Sequence, residues 1–233
     1  MLETIRHRGP DDAGLFAHRH IALGHARLSI IDLTCAGHQP MTDAAFQTTL
    51  VYNGEVYNFQ ELRAELAACG VIFNGHSDTE VVLQAYNHWG LGAFRRFHGM
   101  FALAVWDGRR EQLVLARDRF GIKPLYYSQL PNGIVFGSEI KSLLGSGKIG
   151  RDISPDGLHE YMWYGNALGE NTLFRGVRRL PPASVMVRMK SGTSIFRYWT
   201  LEQVPRHAPG ISQGAKEVSR LLEEAVRSHL VSD

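Results

Sequence analysis

Met100-Phe101-Ala102-Leu103-Ala104-Val105-Trp106-Asp107-Gly108-Arg109-Arg110-Glu111-Gln112-Leu113-Val114-Leu115-Ala116-Arg117 is the stretch that decides the fold class. Met100 to Trp106 and Gln112 to Arg117 are apolar runs, with Asp107-Gly108-Arg109-Arg110 between them. An Asp-Gly pair in that position signals a hairpin, because both residues accept the backbone angles of a tight turn. Outward from it, Ile21 to Leu28 and Gln47 to Tyr52 read as strands, and Pro124 to Ser128 with Gly133 to Gly137 as a strand pair. Val185 to Met189 and Thr193 to Trp199 form a late hairpin turning at Lys190-Ser191-Gly192. Helices are few. Asn58 can cap Phe59 to Cys69, with Glu61 three residues on and Gly70 as the stop. Ser77 and Glu80 have capping-box spacing ahead of Val81 to Tyr86. Strands in runs, with helices set apart from them, predict an α+β fold with largely antiparallel sheets.

The 233 residues suffice for one large domain, or a domain and the start of another. A formal charge of +2, from 25 Lys and Arg against 23 Asp and Glu, argues against nucleic acid or an anionic membrane as a partner. No apolar stretch is long enough to span a bilayer, and Met1 to Asp12 lacks a signal-peptide core, so a cytoplasmic location is expected. Two cysteines cannot form a disulfide framework for this length and suit a reducing compartment. Cys35 follows a turn signal and Cys69 closes a helix, where a small apolar filler is the ordinary role. The eleven histidines have no tight metal-ligand spacing, so no metal site is predicted.

From about Leu201 the character changes. Glu202 to Gly214, with Pro205, Pro209 and Gly210 among polar residues, has a linker's composition. Lys216 to Leu230 then reads as an amphipathic helix, with Val218, Leu221, Leu222, Ala225, Val226 and Leu230 on one face.

Taken singly, the polar residues of interest have plain structural readings. Asn53-Gly54 is a common turn dipeptide, Asp78 complements a helix dipole, and Arg27 on a strand can pair with Asp32. Longer strings change that weighting. His7-Arg8-Gly9-Pro10-Asp11-Asp12, Arg27-Leu28-Ser29-Ile30-Ile31-Asp32, Gly37-His38-Gln39-Pro40-Met41, Tyr52-Asn53-Gly54-Glu55-Val56-Tyr57-Asn58-Phe59, Ser77-Asp78-Thr79-Glu80, Asp118-Arg119-Phe120-Gly121-Ile122-Lys123-Pro124 and Gly137-Ser138-Glu139-Ile140-Lys141 occur in one order. That order, from about Ile5 to Trp199, resembles the glutaminase domain, a type 2 glutamine amidotransferase, of glutamine-hydrolysing asparagine synthetases.

The resemblance implies an N-terminal-nucleophile hydrolase fold, an αββα sandwich of two mainly antiparallel sheets. It also implies L-glutamine as substrate. Arg27 suits the ligand's carboxylate through its planar fork, and Glu55 and Asp78 suit its ammonium. The Asn53 amide and Gly54 N–H suit the oxyanion formed when the side-chain amide is attacked. Leu28, Ser29, Ile30 and Ile31 are expected beside the ligand, while Arg119, Lys123 and Tyr127 are assigned to folding and domain contacts.

Two departures from the family are expected to matter. The family opens on a strand whose leading Cys is the nucleophile, whereas six residues precede His7 here and neither Cys35 nor Cys69 is in a matching position. The pyrophosphate loop of the synthetase domain does not follow. The expectation is therefore an internal piece of a longer ligase that lacks the first strand. Residues 1–200 would be the amidotransferase domain, 201–214 a linker, and 215–233 the first helix of a synthetase domain. No cofactor is expected in this chain; ATP and Mg2+ belong to the synthetase domain, which would be its partner, and homodimers are common in the family. The alternative is a structural or binding module without amidase chemistry in another synthetase, like the corresponding domain of β-lactam synthetases or of peptide- or sugar-modifying amidotransferases.

Overall fold

The structure, a computed structural model, describes residues 1–28, 37–204 and 210–230. In chain order its strands are β1 (Asp12–His18), β2 (Ile21–Arg27), β3 (Met41–Asp43), β4 (Thr48–Val56), β5 (Gly99–Asp107), β6 (Gln112–Arg117), β7 (Tyr126–Leu130), β8 (Gly133–Gly137), β9 (Arg178–Arg179), β10 (Ser184–Met189) and β11 (Gly192–Arg197). The α-helices are α1 (Phe59–Ala68), α2 (Asp78–Trp89), α3 (Ile140–Leu144), α4 (Pro155–Tyr164) and α5 (Ile211–His229).

The predicted hairpin, β5 with β6, is the centre of a six-stranded antiparallel sheet ordered β11-β10-β6-β5-β4-β3. Asp107 makes its turn. Its carboxylate accepts the Arg110 N–H at 3.1 Å, the Arg110 guanidinium at 2.8 Å and the Tyr86 hydroxyl at 3.1 Å. Side chains alternate across the sheet. Leu50, Leu103, Val105, Val114 and Val185 pack with residues of α1 and α2 such as Leu66, Val82 and Tyr86. Val51, Ala102, Ala104, Leu113, Leu115 and Met186 face the other way, onto Leu23, Leu125 and Tyr127. Burial on both faces explains why the strands read as continuous apolar runs.

The second layer is divided. β1 and β2 form one two-stranded sheet, and β8-β7-β9 another, all pairs antiparallel. α3 packs behind β7 and β8, which completes the helix, sheet, sheet, helix order. The strand expected over Gln47 to Tyr52 runs on to Val56, so Asn53-Gly54 lies within a strand and not in a turn. The helix starts differ from expectation as well. Asn58 sits at the N-cap of α1 without bonding it, because its side chain accepts the His98 N–H at 2.9 Å and donates to the Arg96 carbonyl at 3.0 Å. Ser77 caps α2 by accepting the Glu80 N–H at 3.3 Å, but the Glu80 carboxylate turns to the N–H groups of Asn74 and Gly75. α5 begins five residues before the predicted Lys216, and its Val218, Leu222 and Val226 are exposed. Its last residue, His229, packs its ring at a tilt against Tyr57, 4.3 Å between ring centroids.

Candidate functional site

Between the six-stranded sheet and the divided layer lies a cavity of about 1210 Å3. Its interior is apolar, lined by Ile21, Val51, Leu113, Leu125, Ile134 and Phe136. One end is polar. There the structure brings together Arg27, Leu28, Asn53, Gly54, Glu55 and Asp78, which all line the cavity although they span fifty-two positions of sequence. Ser29, Ile30, Ile31, Asp32 and Cys35 lie outside the described residues. Cys69 is exposed at the end of α1, away from the cavity lining.

Each wall follows from strand parity. On β2, Leu23 and Arg27 are buried, so the alternate residues Leu23, His25 and Arg27 point at the six-stranded sheet. Leu28, one step further on, is exposed at the rim. On β4, Asn53 and Glu55 share the parity of Val51 and face the cavity, while Tyr52 and Val56 belong to the helix-side core. Asp78 is the first residue of α2 and enters from that side. Its Oδ2 accepts the Tyr52 hydroxyl at 2.8 Å and the Val56 N–H at 3.1 Å. Burial nevertheless holds the Asp78 carboxyl above its ordinary pKa, and Glu55 adds to the rise against those hydrogen bonds. The same burial, with Asp78 beside it, drives the Tyr52 phenol well above its usual value. A buried carboxylate with a second carboxylate nearby is stabilised by any cation that enters. The dipole reading of Asp78 is compatible with this: the residue sits in the first turn and also faces the cavity.

Gly54 occupies an open edge. Among the described residues, β4 has no strand neighbour on the β3 side beyond Leu50, since β3 covers only Thr48 to Leu50. The N–H groups of Tyr52 and Val56 point to this edge, toward Gln39 and Asp78 respectively, and the two-residue alternation sends that of Gly54 the same way. A Cβ at Gly54 would stand 2.2 Å from the Met100 carbonyl oxygen, so only glycine permits β4 and β5 to lie this close.

Sequence reasoning missed three contributors. Tyr52 holds Asp78. Gln39, buried, accepts the Tyr52 N–H at 2.6 Å and donates to the Tyr52 carbonyl at 3.1 Å. His25 Nε2 also lies 3.0 Å from that carbonyl, so it carries the ring proton. Burial lowers the His25 pKa to about 4, with Arg27 lowering it further, while the Tyr52 carbonyl and Asp12 oppose the fall. The ring is therefore neutral at pH 7, with Nδ1 buried and without a partner among the described residues. The one available signal was the Gly37-His38-Gln39-Pro40-Met41 string, whose chemistry is invisible without the register of β3.

Residues 1–199 match the family of glutamine amidotransferase domains. The chain is 38% identical over 236 residues to asparagine synthetase [glutamine-hydrolyzing] 3 of Bacillus subtilis, covering all of this chain and 38% of that protein. It is 36% identical over 233 residues to asparagine synthetase [glutamine-hydrolyzing] 1 of the same organism, covering 37% of it. An amidase of Gibberella zeae is 38% identical over 245 residues, with 35% of its length covered. The chain thus spans somewhat over a third of these relatives. Among solved structures, the glutamine phosphoribosylpyrophosphate amidotransferase of B. subtilis superposes on 77% of this chain and 35% of its own, with a TM-score of 0.56 at 19% identity, a likeness of fold.

Proposed function

From the premise that the chain belongs to the glutamine amidotransferase domain family, we propose that its cavity binds L-glutamine as the ammonia source for a synthetase. Arg27 takes the α-carboxylate through its planar fork. Asp78 and Glu55 take the α-ammonium. The Asn53 amide and the Gly54 N–H face the side-chain carbonyl, and Leu28 flanks Arg27 at the rim. When a thiolate attacks the carboxamide carbon, charge collects on its oxygen, and donors fixed before the reaction stabilise it. Collapse of that intermediate leaves a thioester and breaks the C–N bond, the nitrogen departing as ammonia with the proton the thiol gave up; water then hydrolyses the thioester, freeing glutamate and the thiol.

The observation that supports this reading is that buried Arg27 and buried Asp78, a carboxyl whose pKa is raised by burial, line one cavity. That is the charge pattern of a free amino acid's α-carbon, with donors placed for its side chain. The acceptor chemistry is ATP-dependent amidation of aspartate in a synthetase unit that α5 introduces. ATP and Mg2+ are assigned to that synthetase unit. No helix among the described residues is long and apolar enough to cross a membrane.

Neither Cys69 nor Cys35 is the attacking thiol in this reading, so the isolated chain binds glutamine without releasing ammonia. Calorimetric titration tests the assignment. L-Glutamine should bind saturably, and Asp78→Asn should weaken it about thirtyfold, the worth of a charge-assisted hydrogen bond. Absence of binding by the wild-type chain would favour the structural-module alternative. Unchanged affinity in Asp78→Asn would remove Asp78 from the site.

A further inference from the structure

The edge of β4 that carries the Gly54 N–H has an unusual neighbour. β3 pairs with β4 at Asp43 with Thr48, Thr42 with Thr49 and Met41 with Leu50. Continuing that register by two residues sets Gln39 opposite Tyr52, the next pair that would exchange two hydrogen bonds. The Gln39 main chain does not make them. Its carbonyl oxygen lies against Gly14 of β1, where a Cβ would come within 2.2 Å of it. The side-chain amide takes its place, accepting the Tyr52 N–H at 2.6 Å and donating to the Tyr52 carbonyl at 3.1 Å.

Further along the same edge, Asp78 accepts the Val56 N–H at 3.1 Å. Gly54 is therefore suspended between two clamped positions, each held by a buried side chain. The clamps matter because glycine itself sets no preferred backbone angle. Fixing the Tyr52 carbonyl fixes the plane of the Tyr52–Asn53 peptide, from which the Asn53 side chain and then the Gly54 N–H take their directions.

We propose that Gln39 is the positioning residue of this site, its side-chain amide serving as a one-residue extension of β3 that aims the Asn53 and Gly54 donors at a ligand carbonyl. His25 acts with it, through the second hydrogen bond to the same Tyr52 carbonyl. This rests on the reading that the donors face a glutamine carboxamide. It adds a residue that acts through the Tyr52 main chain.

The test separates carbonyl recognition from binding in general. L-Norvaline keeps the α-ammonium, the carboxylate and the three-carbon side chain of glutamine, but has a methyl where glutamine has its carboxamide. In Gln39→Met, preference for L-glutamine over L-norvaline in calorimetric titration should fall about tenfold, while norvaline affinity changes less than about twofold. Amide hydrogen exchange at Tyr52, and at Asn53 whose N–H belongs to the clamped peptide and faces β5, should quicken in the same variant. Gln39→Glu retains an acceptor for the Tyr52 N–H but sets a carboxylate oxygen against the Tyr52 carbonyl. It should keep Tyr52 protected and still lose the preference, and it serves as the test if Gln39→Met does not fold. Equal weakening of both ligands would make Gln39 a structural residue only and overturn the proposal. So would an unchanged preference. If the wild-type chain binds neither ligand, the glutamine reading fails separately. Exchange at Asn53 then decides: unchanged rates in Gln39→Met refute the clamp, and faster rates sustain it.

Discussion

Asp118→Ala lowers the free energy of unfolding by about 4 kcal/mol or more, the largest effect expected of a single substitution in this chain. Asp118 is fully buried, and its carboxylate accepts four backbone N–H groups: Phe101 at 3.2 Å, Phe120 at 3.0 Å, Ile122 at 3.0 Å and Lys123 at 3.0 Å. Its own backbone N–H donates to Phe101 and its carbonyl accepts from Ala183, so it joins β5, the turn after β6 and the approach to β10. Beside it, the Arg117 guanidinium donates to the carbonyls of Lys123, Leu180 and Gly121. Removing the carboxylate leaves four backbone donors without their acceptor around a fully buried position. Asp118→Asn should recover less than half of the loss, because its NH2 group would face N–H groups. Urea unfolding followed by circular dichroism measures both. A loss below about 1 kcal/mol in Asp118→Ala would mean that water or a shifted carbonyl replaces the carboxylate.

The second large effect depends on pH. His25 has a pKa of about 4 in the fold against 6.5 in an unfolded chain, chiefly through burial. Above pH 6.5 both states hold the neutral ring, and its contribution to stability is complete. As pH falls from 6.5 toward 4, the unfolded chain binds a proton that the folded chain refuses, so stability is lost. By pH 4.5 the loss from this residue is about 2.5 kcal/mol. Asp78 acts in the opposite sense, since its raised pKa lets the folded state take up a proton first as the pH falls. The effect of His25 is therefore isolated by difference. Between pH 7.5 and 4.5, His25→Gln, which can still donate to the Tyr52 carbonyl, should lose about 2.5 kcal/mol less than the wild type. Equal losses in the two proteins would show that His25 titrates normally.

The fold was legible where local signals agree with burial. Asp107-Gly108 between two apolar runs specified a hairpin, and the structure places it at the centre of the large sheet. Strand ends were less legible because the pairing partner sets them: β4 continues through Asn53-Gly54 only because β5 runs alongside as far as Gly99. Asn58 shows the limit of capping signals, since its side chain finds better-placed partners in Arg96 and His98, which lie far away in sequence. At the site, the residues with distinctive charge or backbone chemistry, Arg27, Asn53, Gly54, Glu55 and Asp78, could be named from motif strings. Gln39 and His25 could not, because their importance lies in a register of β3 with β4 and in a face of β2, neither of which is visible along the chain.

The most direct measurement of the central claim is a two-dimensional 15N–1H NMR titration of the chain with L-glutamine. The amides of Arg27, Asn53, Gly54 and Glu55 should shift together and saturate at one dissociation constant, with those of α5 unmoved. Saturation with all four unshifted, or shifts confined to α5, would contradict a glutamine site at the polar end of the cavity.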